Sequence, residues 1–173
     1  MITIISGTNR QGCNTLKIAK YYQKQFISKG LTPQLLNLQN LPENLIISDL
    51  YGSRSTEFEK IQTLVNNTSK FVFVIPEYNG SFPGVLKTFI DACNFPTSFY
   101  DKKACLVGIS SGKYGNIRGI EHFNGVCAYL HMHTMPLRLH LADIKNELNE
   151  NDELFKEDTL KFTTQQIEKF IAY

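Results

Sequence analysis

Five consecutive apolar residues, Phe71-Val72-Phe73-Val74-Ile75, are cut off by Pro76 and followed by a stretch rich in glycine and proline. No other feature constrains the fold as much. A strand without a polar face must be covered on both sides, and aromatic and β-branched residues suit a pleated backbone. Pro83 then fits the first turn of a helix, in which Val85, Leu86, Phe89, Ile90 and Cys93 keep an apolar stripe. The same alternation runs along the whole chain. Residues 2–6 read as a buried strand, and 14–28 as a helix with Leu16, Ala19, Tyr22 and Phe26 near one face, stopped by Gly30. A second strand is expected over 33–38, a loop with Pro42, Asn44 and Gly52 over 39–53, and a shorter helix over 55–67. Residues 104–109 form a fourth strand, 110–115 a Gly/Ser loop, and Ile120, Phe123, Cys127 and Leu130 mark the next helix. A fifth strand is placed within 135–141 and a closing helix over about 152–172.

Strands alternating with helices predict a parallel sheet covered on both faces, here within one domain spanning 1–173. The 42% hydrophobic and 20% charged residues are ordinary globular composition. A net charge of +2 argues against nucleic acid or a membrane surface as main partner. The apolar run at the N-terminus is too short for a signal peptide or a membrane span. Cys13, Cys93, Cys105 and Cys127 form no CxxC pair. A soluble, cytoplasmic protein is the expectation. In parallel sheets ligands bind beyond the carboxyl ends of the strands, which directs attention to the loops after strands one, three and four.

The first of these, Gly7-Thr8-Asn9-Arg10-Gln11-Gly12-Cys13-Asn14-Thr15, carries hydroxyls, amides and one guanidinium, and no Asp or Glu occurs between Met1 and Glu43. Free N–H groups at a helix start attract anions, and Arg10 adds charge-assisted hydrogen bonds. The plainer alternative is a polar turn in which Asn14 or Thr15 caps the helix. A Walker A loop is excluded because Cys13-Asn14 stands where Lys-Ser/Thr is required. The GxGxxG fingerprint is missing, and Asn37-Leu38-Gln39 offers no ribose-binding acid. A phosphate monoester such as the end of FMN suits what remains.

The loop after strand three reads Pro76-Glu77-Tyr78-Asn79-Gly80-Ser81-Phe82-Pro83-Gly84-Val85-Leu86-Lys87. It resembles the flavin-binding segment of the NADPH-dependent FMN reductase family, which includes flavin, quinone, azo-dye and chromate reductases. The first loop is similar to that family's Gly-Ser-x-Arg-x-x-Ser-x-Asn phosphate loop, and Gly108-Ile109-Ser110-Ser111-Gly112-Lys113-Tyr114-Gly115 to its third loop. The likeness spans about residues 2–142. It implies a flavodoxin-like, doubly wound α/β fold with a five-stranded parallel sheet in the order 2-1-3-4-5. Thr8, Arg10, Asn14 and Thr15 would hold the phosphate, with Cys13 in place of a usual serine and contributing its backbone N–H. Pro76, Glu77, Tyr78, Asn79 and Gly80 would border the flavin ring, and Ser110, Ser111 and Gly112 would close its other side. Asn116 departs from the family, which often has a second glycine there.

The activity so implied is electron transfer from NADPH or NADH through FMN to a small acceptor, in ping-pong fashion, without a catalytic side chain. An electron-transfer flavodoxin reduced by a partner protein is the alternative, although flavodoxins are usually strongly acidic. A homodimer or homotetramer is expected, with the segment after Asn79 and the helix after Ile117 at the interface. Phe82, Phe95 and Phe99 are its expected contacts near the flavin edge, unless they fill the core. His131, His133 and His140 lack accompanying ligands at a recognised spacing, so no metal site is expected. Cys93, Cys105 and Cys127 read as packing groups, and Lys145, Lys156 and residues 147–157 as a solvated helix and its approach.

Overall fold

Ile4 and Ile5 are neighbours in strand β1 (Ile2–Ser6), yet they belong to different cores. Successive strand residues face opposite sides of a sheet. Ile5 therefore joins Phe71, Phe73 and Ile75 on one side, while Ile4 joins Val72 and Val74 on the other. The computed structural model describes residues 1–51 and 54–173. At the centre of its sheet lie β3 (Lys70–Pro76) and β4 (Lys103–Ile109), buried throughout except at their first residues. With β2 (Gln34–Asn37) and β5 (His133–Thr134) they give the order β2-β1-β3-β4-β5, every pairing parallel.

Helix α1 (Asn14–Ser28) and α6 (Glu157–Ala172) cover one face through Ile18, Ala19, Tyr22, Phe26, Ile167 and Phe170. The other face is covered by α3 (Thr56–Asn67), α4 (Gly84–Ala92) and α5 (Ile117–Tyr129), which contribute Phe58, Leu86, Phe89, Phe123 and Cys127. Parallel strands put the loops after β1, β3 and β4 at the same sheet end. Among the described residues no helix is long and apolar enough to cross a membrane.

Four expectations need correction. The fifth strand is in two pieces: β5 pairs with Lys103 and Ala104, and β6 (Leu139–Leu141) with Val107–Ile109. Pro136, between them, has no N–H to donate. A side chain takes over instead: Gln166 Nε2 donates to Leu106 O (3.1 Å) and Leu137 O (2.9 Å), and the buried Tyr22 hydroxyl donates to Gln166 Oε1 (2.5 Å). The stretch 39–53 is less loop-like than expected, because a 3₁₀ turn (Leu38–Asn40) and the short α2 (Leu45–Ser48) occupy part of it; Gly52 lies outside the described residues. The last helix starts at Glu157, since Asp152 has φ +60° and Asn149 N–H donates to Glu153 O (2.9 Å) in a turn. Finally, Phe99 is a core residue packed on Phe71 at the start of β3, and Phe82 packs edge-on against Phe123. Only Phe95 of the three is exposed. It follows the C-terminal end of α4, which returns antiparallel to the strands, so it lies away from the loops of interest.

Candidate functional site

The loop after β1 is built around a close approach. Gly7 N–H donates to Val74 O (2.9 Å), and a Cβ on Gly7 would sit 2.8 Å from that oxygen, so only glycine lets the chain pass over β3. Thr8 is buried, its Oγ1 2.9 Å from the Tyr78 hydroxyl, and it accepts from Arg10 N–H (3.3 Å). The loop is braced from outside by Gln39, whose Nε2 donates to Arg10 O (2.5 Å) and lies 3.7 Å from Cys13 Sγ. Helix α1 then begins with Cys13 as its N-cap residue. No side chain caps it and its first turn holds no acid. The capping by Asn14 or Thr15 weighed as the alternative does not occur. The first N–H groups of α1 and the positive end of its dipole are left to attract an anion.

The loop after β3 turns back at once. Tyr78 and Ser81 exchange backbone hydrogen bonds (2.9 and 3.1 Å), while Asn79 and Gly80 between them have φ +51° and +75°. Asn-Gly is the pair best suited to two successive positive φ angles. Glu77 N–H donates to Ile109 O (2.9 Å), tying this loop to β4.

In the loop after β4, Ser110 Oγ donates to Gly112 O (2.8 Å) and accepts from Gly115 N–H (2.9 Å). Gly115 has φ +56°, and a Cβ there would meet the His140 carbonyl carbon at 2.4 Å. Asn116 is fully buried with φ +64°, and its Nδ2 donates to Ile75 O (2.9 Å). Asparagine tolerates the left-handed region better than other non-glycine residues. The departure from the family thus keeps a glycine-like backbone and adds a tie to the end of β3.

These loops enclose one cavity of about 400 Å³, within the range of about 300–1,000 Å³ usual for ligand pockets. Arg10, Cys13, Asn14, Thr15, Pro76, Glu77, Tyr78, Ser110 and Ser111 all line it. Thr8, Asn79, Gly80 and Gly112 do not; they shape the loops behind the lining. Sequence reasoning missed Gln11, Gly12, Ile109, Ile144 and Lys145 among the lining residues, and Gln39 as the brace. Lys145 is exposed, as a solvated approach to the last helix requires, and it sits on a 3₁₀ turn (Ile144–Glu147) whose Ile144 is buried. The lining therefore includes two basic residues, Arg10 and Lys145, and one acidic residue, Glu77.

Burial pushes the thiols of Cys93 and Cys105 well up, and that of Cys127 up to about 12, as befits packing groups. Cys13 alone is partly exposed. Among the described residues no group of three or more His, Cys, Asp and Glu could hold a metal ion.

A doubly wound parallel sheet with its three functional loops at one switch point defines a flavodoxin-like protein. The FerB flavoenzyme NAD(P)H:(acceptor) oxidoreductase of Paracoccus denitrificans shares this fold with a TM-score of 0.81, at 21% identity over 99% of this chain and 95% of that one. The model of the NADPH-dependent FMN reductase family matches residues 1–146, and the chain belongs to that family. An NAD(P)H-dependent FMN reductase of Pseudomonas aeruginosa is 24% identical over 168 residues, 95% of this chain and 89% of its own. A 2-hydroxy-1,4-benzoquinone reductase of a Burkholderia species is 31% identical over 106 residues, which is 59% of this chain and 58% of that protein.

Proposed function

We propose that the protein is an FMN-dependent oxidoreductase that takes electrons from NADPH or NADH and delivers them to a small acceptor such as a free flavin or a quinone. The observation that carries this reading is one cavity lined by all three loops together with the uncapped start of α1. The donor set fits FMN. The N–H groups of Cys13, Asn14 and Thr15 and the Arg10 guanidinium would hold the phosphate, while residues 76–80 and 110–112 would border the ring, mostly through their backbone. Bound FMN supplies the redox chemistry, accepting a hydride equivalent and passing electrons on. The protein's own part is placement. The Thr8–Tyr78 contact couples the phosphate loop to the ring-side loop, and Asn116 and Glu77 fix the ends of β3 and β4 against each other. Coenzyme and acceptor would use the same open side of the cavity in turn.

Assembly into a homodimer or homotetramer belongs to the same proposal. Tyr114, in the loop after β4, and Ile117, at the start of α5, are 68% and 47% exposed and would be contacts for a second copy. A cytoplasmic location and the absence of nucleic-acid or membrane partners are proposed with it. The test is an absorbance spectrum of purified protein with FMN, repeated after anaerobic addition of NADPH or NADH, then of menadione. Loss of the flavin band with either coenzyme and its recovery with the quinone are expected. Bound FMN that neither coenzyme reduces would refute the enzymatic reading.

A further inference from the structure

Lys145 reaches the cavity from the far end of the chain, and the turn that carries it is pinned to the cavity wall. Asp143 N–H donates to Gly112 O (2.9 Å), Ile144 N–H to Ser110 O (3.0 Å), and Asn146 N–H closes the turn on Asp143 O (2.8 Å). The Asp143 carboxylate is engaged by Asn146 Nδ2 (2.7 Å), and Ile144 is anchored in the core that α1 and α6 share. Downstream, Asp152 pairs with Lys17 in the first turns of α1 (2.6 Å), so the whole segment runs beside the start of that helix. Lys145 consequently lies on the α1 side of the cavity.

Its charge is also uncommitted. Among the described residues the Lys145 ammonium makes no ion pair. Of the two acids two residues away, Asp143 accepts from Asn146 Nδ2, and Glu147 is held by Lys156 (3.0 Å) and by the Thr159 hydroxyl (2.6 Å). A lysine on a surface turn is ordinarily a solvated charge. This one differs because the two residues before it are tied to Ser110 and Gly112, which shape the cavity, and because Arg10 and the uncapped start of α1 line that cavity with it.

We propose that Lys145 is a second cation for a phosphate monoester bound in this cavity, acting together with Arg10. The inference rests on the FMN reading above and names a residue outside the first loop as a determinant of ligand choice. Two phosphates have the required chemistry, the 5′-phosphate of FMN and the 2′-phosphate of NADPH. Two anchors from opposite ends of the chain would make the loss of either one partial and the loss of both severe.

The test uses the full-length protein with Lys145→Gln, Lys145→Arg and the double variant Arg10→Ala/Lys145→Gln. Affinities for FMN and riboflavin are measured by flavin fluorescence, and KM for NADPH and NADH by turnover with menadione. If the phosphate is that of FMN, Lys145→Gln weakens FMN about three- to tenfold and leaves riboflavin unchanged. The double variant then binds FMN about thirty- to a hundredfold more weakly than wild type, keeping only the preference over riboflavin that the N–H groups of α1 supply, and Lys145→Arg restores most of the single-variant loss. If it is the coenzyme's, FMN affinity holds and KM rises for NADPH but not NADH. An unchanged FMN-to-riboflavin ratio together with an unchanged NADPH-to-NADH ratio overturns the inference while leaving the FMN reading intact. Wild-type protein that binds no FMN overturns both.

Discussion

Replacing Arg10 by alanine isolates the electrostatic part of the proposed phosphate site. The ties of Arg10 to the protein run through its backbone, from its N–H to Thr8 Oγ1 and from Gln39 Nε2 to its carbonyl oxygen, and alanine keeps both. The side chain is exposed, so stability without ligand should move by less than about 0.5 kcal/mol. A charge-assisted hydrogen bond contributes about 1.5–3 kcal/mol when well formed. Because the guanidinium is open to water and Lys145 also lines the cavity, the lower part of that range applies, and FMN should bind about tenfold more weakly at 1.4 kcal/mol per decade. Riboflavin lacks the phosphate and should bind wild type and variant alike. Salt supplies a second reading of the same term. Going from about 0.01 to 0.15 M ionic strength shortens the screening length from about 30 to 8 Å, which should narrow the wild-type preference for FMN and hardly touch riboflavin. Fluorescence titration of both flavins at both salt concentrations measures all four constants. Equal losses for FMN and riboflavin would refute the phosphate assignment and make Arg10 a brace of the loop.

Three further outcomes are expected. Cys13 should be the only thiol modified by a disulfide reagent in the native protein at pH 8, and FMN should slow the reaction at least severalfold, because Cys13 lines the cavity while the other three are buried; labelling of two or more thiols contradicts the packing. Gln166→Leu strips partners from Tyr22 Oη, Leu106 O and Leu137 O. At about 1–3 kcal/mol for each buried group left unpaired it should cost at least about 3 kcal/mol, seen as a melting temperature lower by roughly 6–12 °C. Stability should also decline above about pH 8.5, the ordinary thiol value. Cys93, Cys105 and Cys127 have raised values in the fold, so their contribution is complete below the unfolded value and is lost as pH rises from there towards the folded ones. Urea titrations at pH 7.5, 8.5 and 9.5 measure this, and a flat profile would speak against three buried thiols.

Apolar periodicity and the placing of Pro and Gly made most of the fold readable, for a physical reason that also explains the errors. Phe71–Ile75 had to be a central strand because both of its faces are apolar, and Pro76 had to end it. Both facts are local. The break between β5 and β6 is only partly local: Pro136 removes a donor, but the partner of Leu106 O is a glutamine far along the chain, which the pattern of residues 135–141 does not announce. The site divides along the same line. Arg10 and residues 13–15, 76–78 and 110–111 were legible as cavity lining because a loop short of ordinary packing residues and rich in Gly, Asn and hydroxyls has little to do except meet a ligand. Gln39, Ile144 and Lys145 were illegible because their residue types are unremarkable and only the crossing of chain segments brings them to the cavity.

Asn116 shows where residue type alone misleads. Counted as a letter it departs from the glycine that the family often has there. Its backbone nevertheless occupies the left-handed region that a glycine would supply, and its amide donates to the last residue of β3 before Pro76. A glycine at that position would leave Ile75 O to find another partner and would give the loop over β4 more conformational freedom to lose on folding. The substitution therefore stiffens the junction between the two loops proposed to hold the flavin ring. Asn116 Oδ1, buried without a partner among the described residues, is the cost of that arrangement. Such costs are tolerated where position matters more than stability.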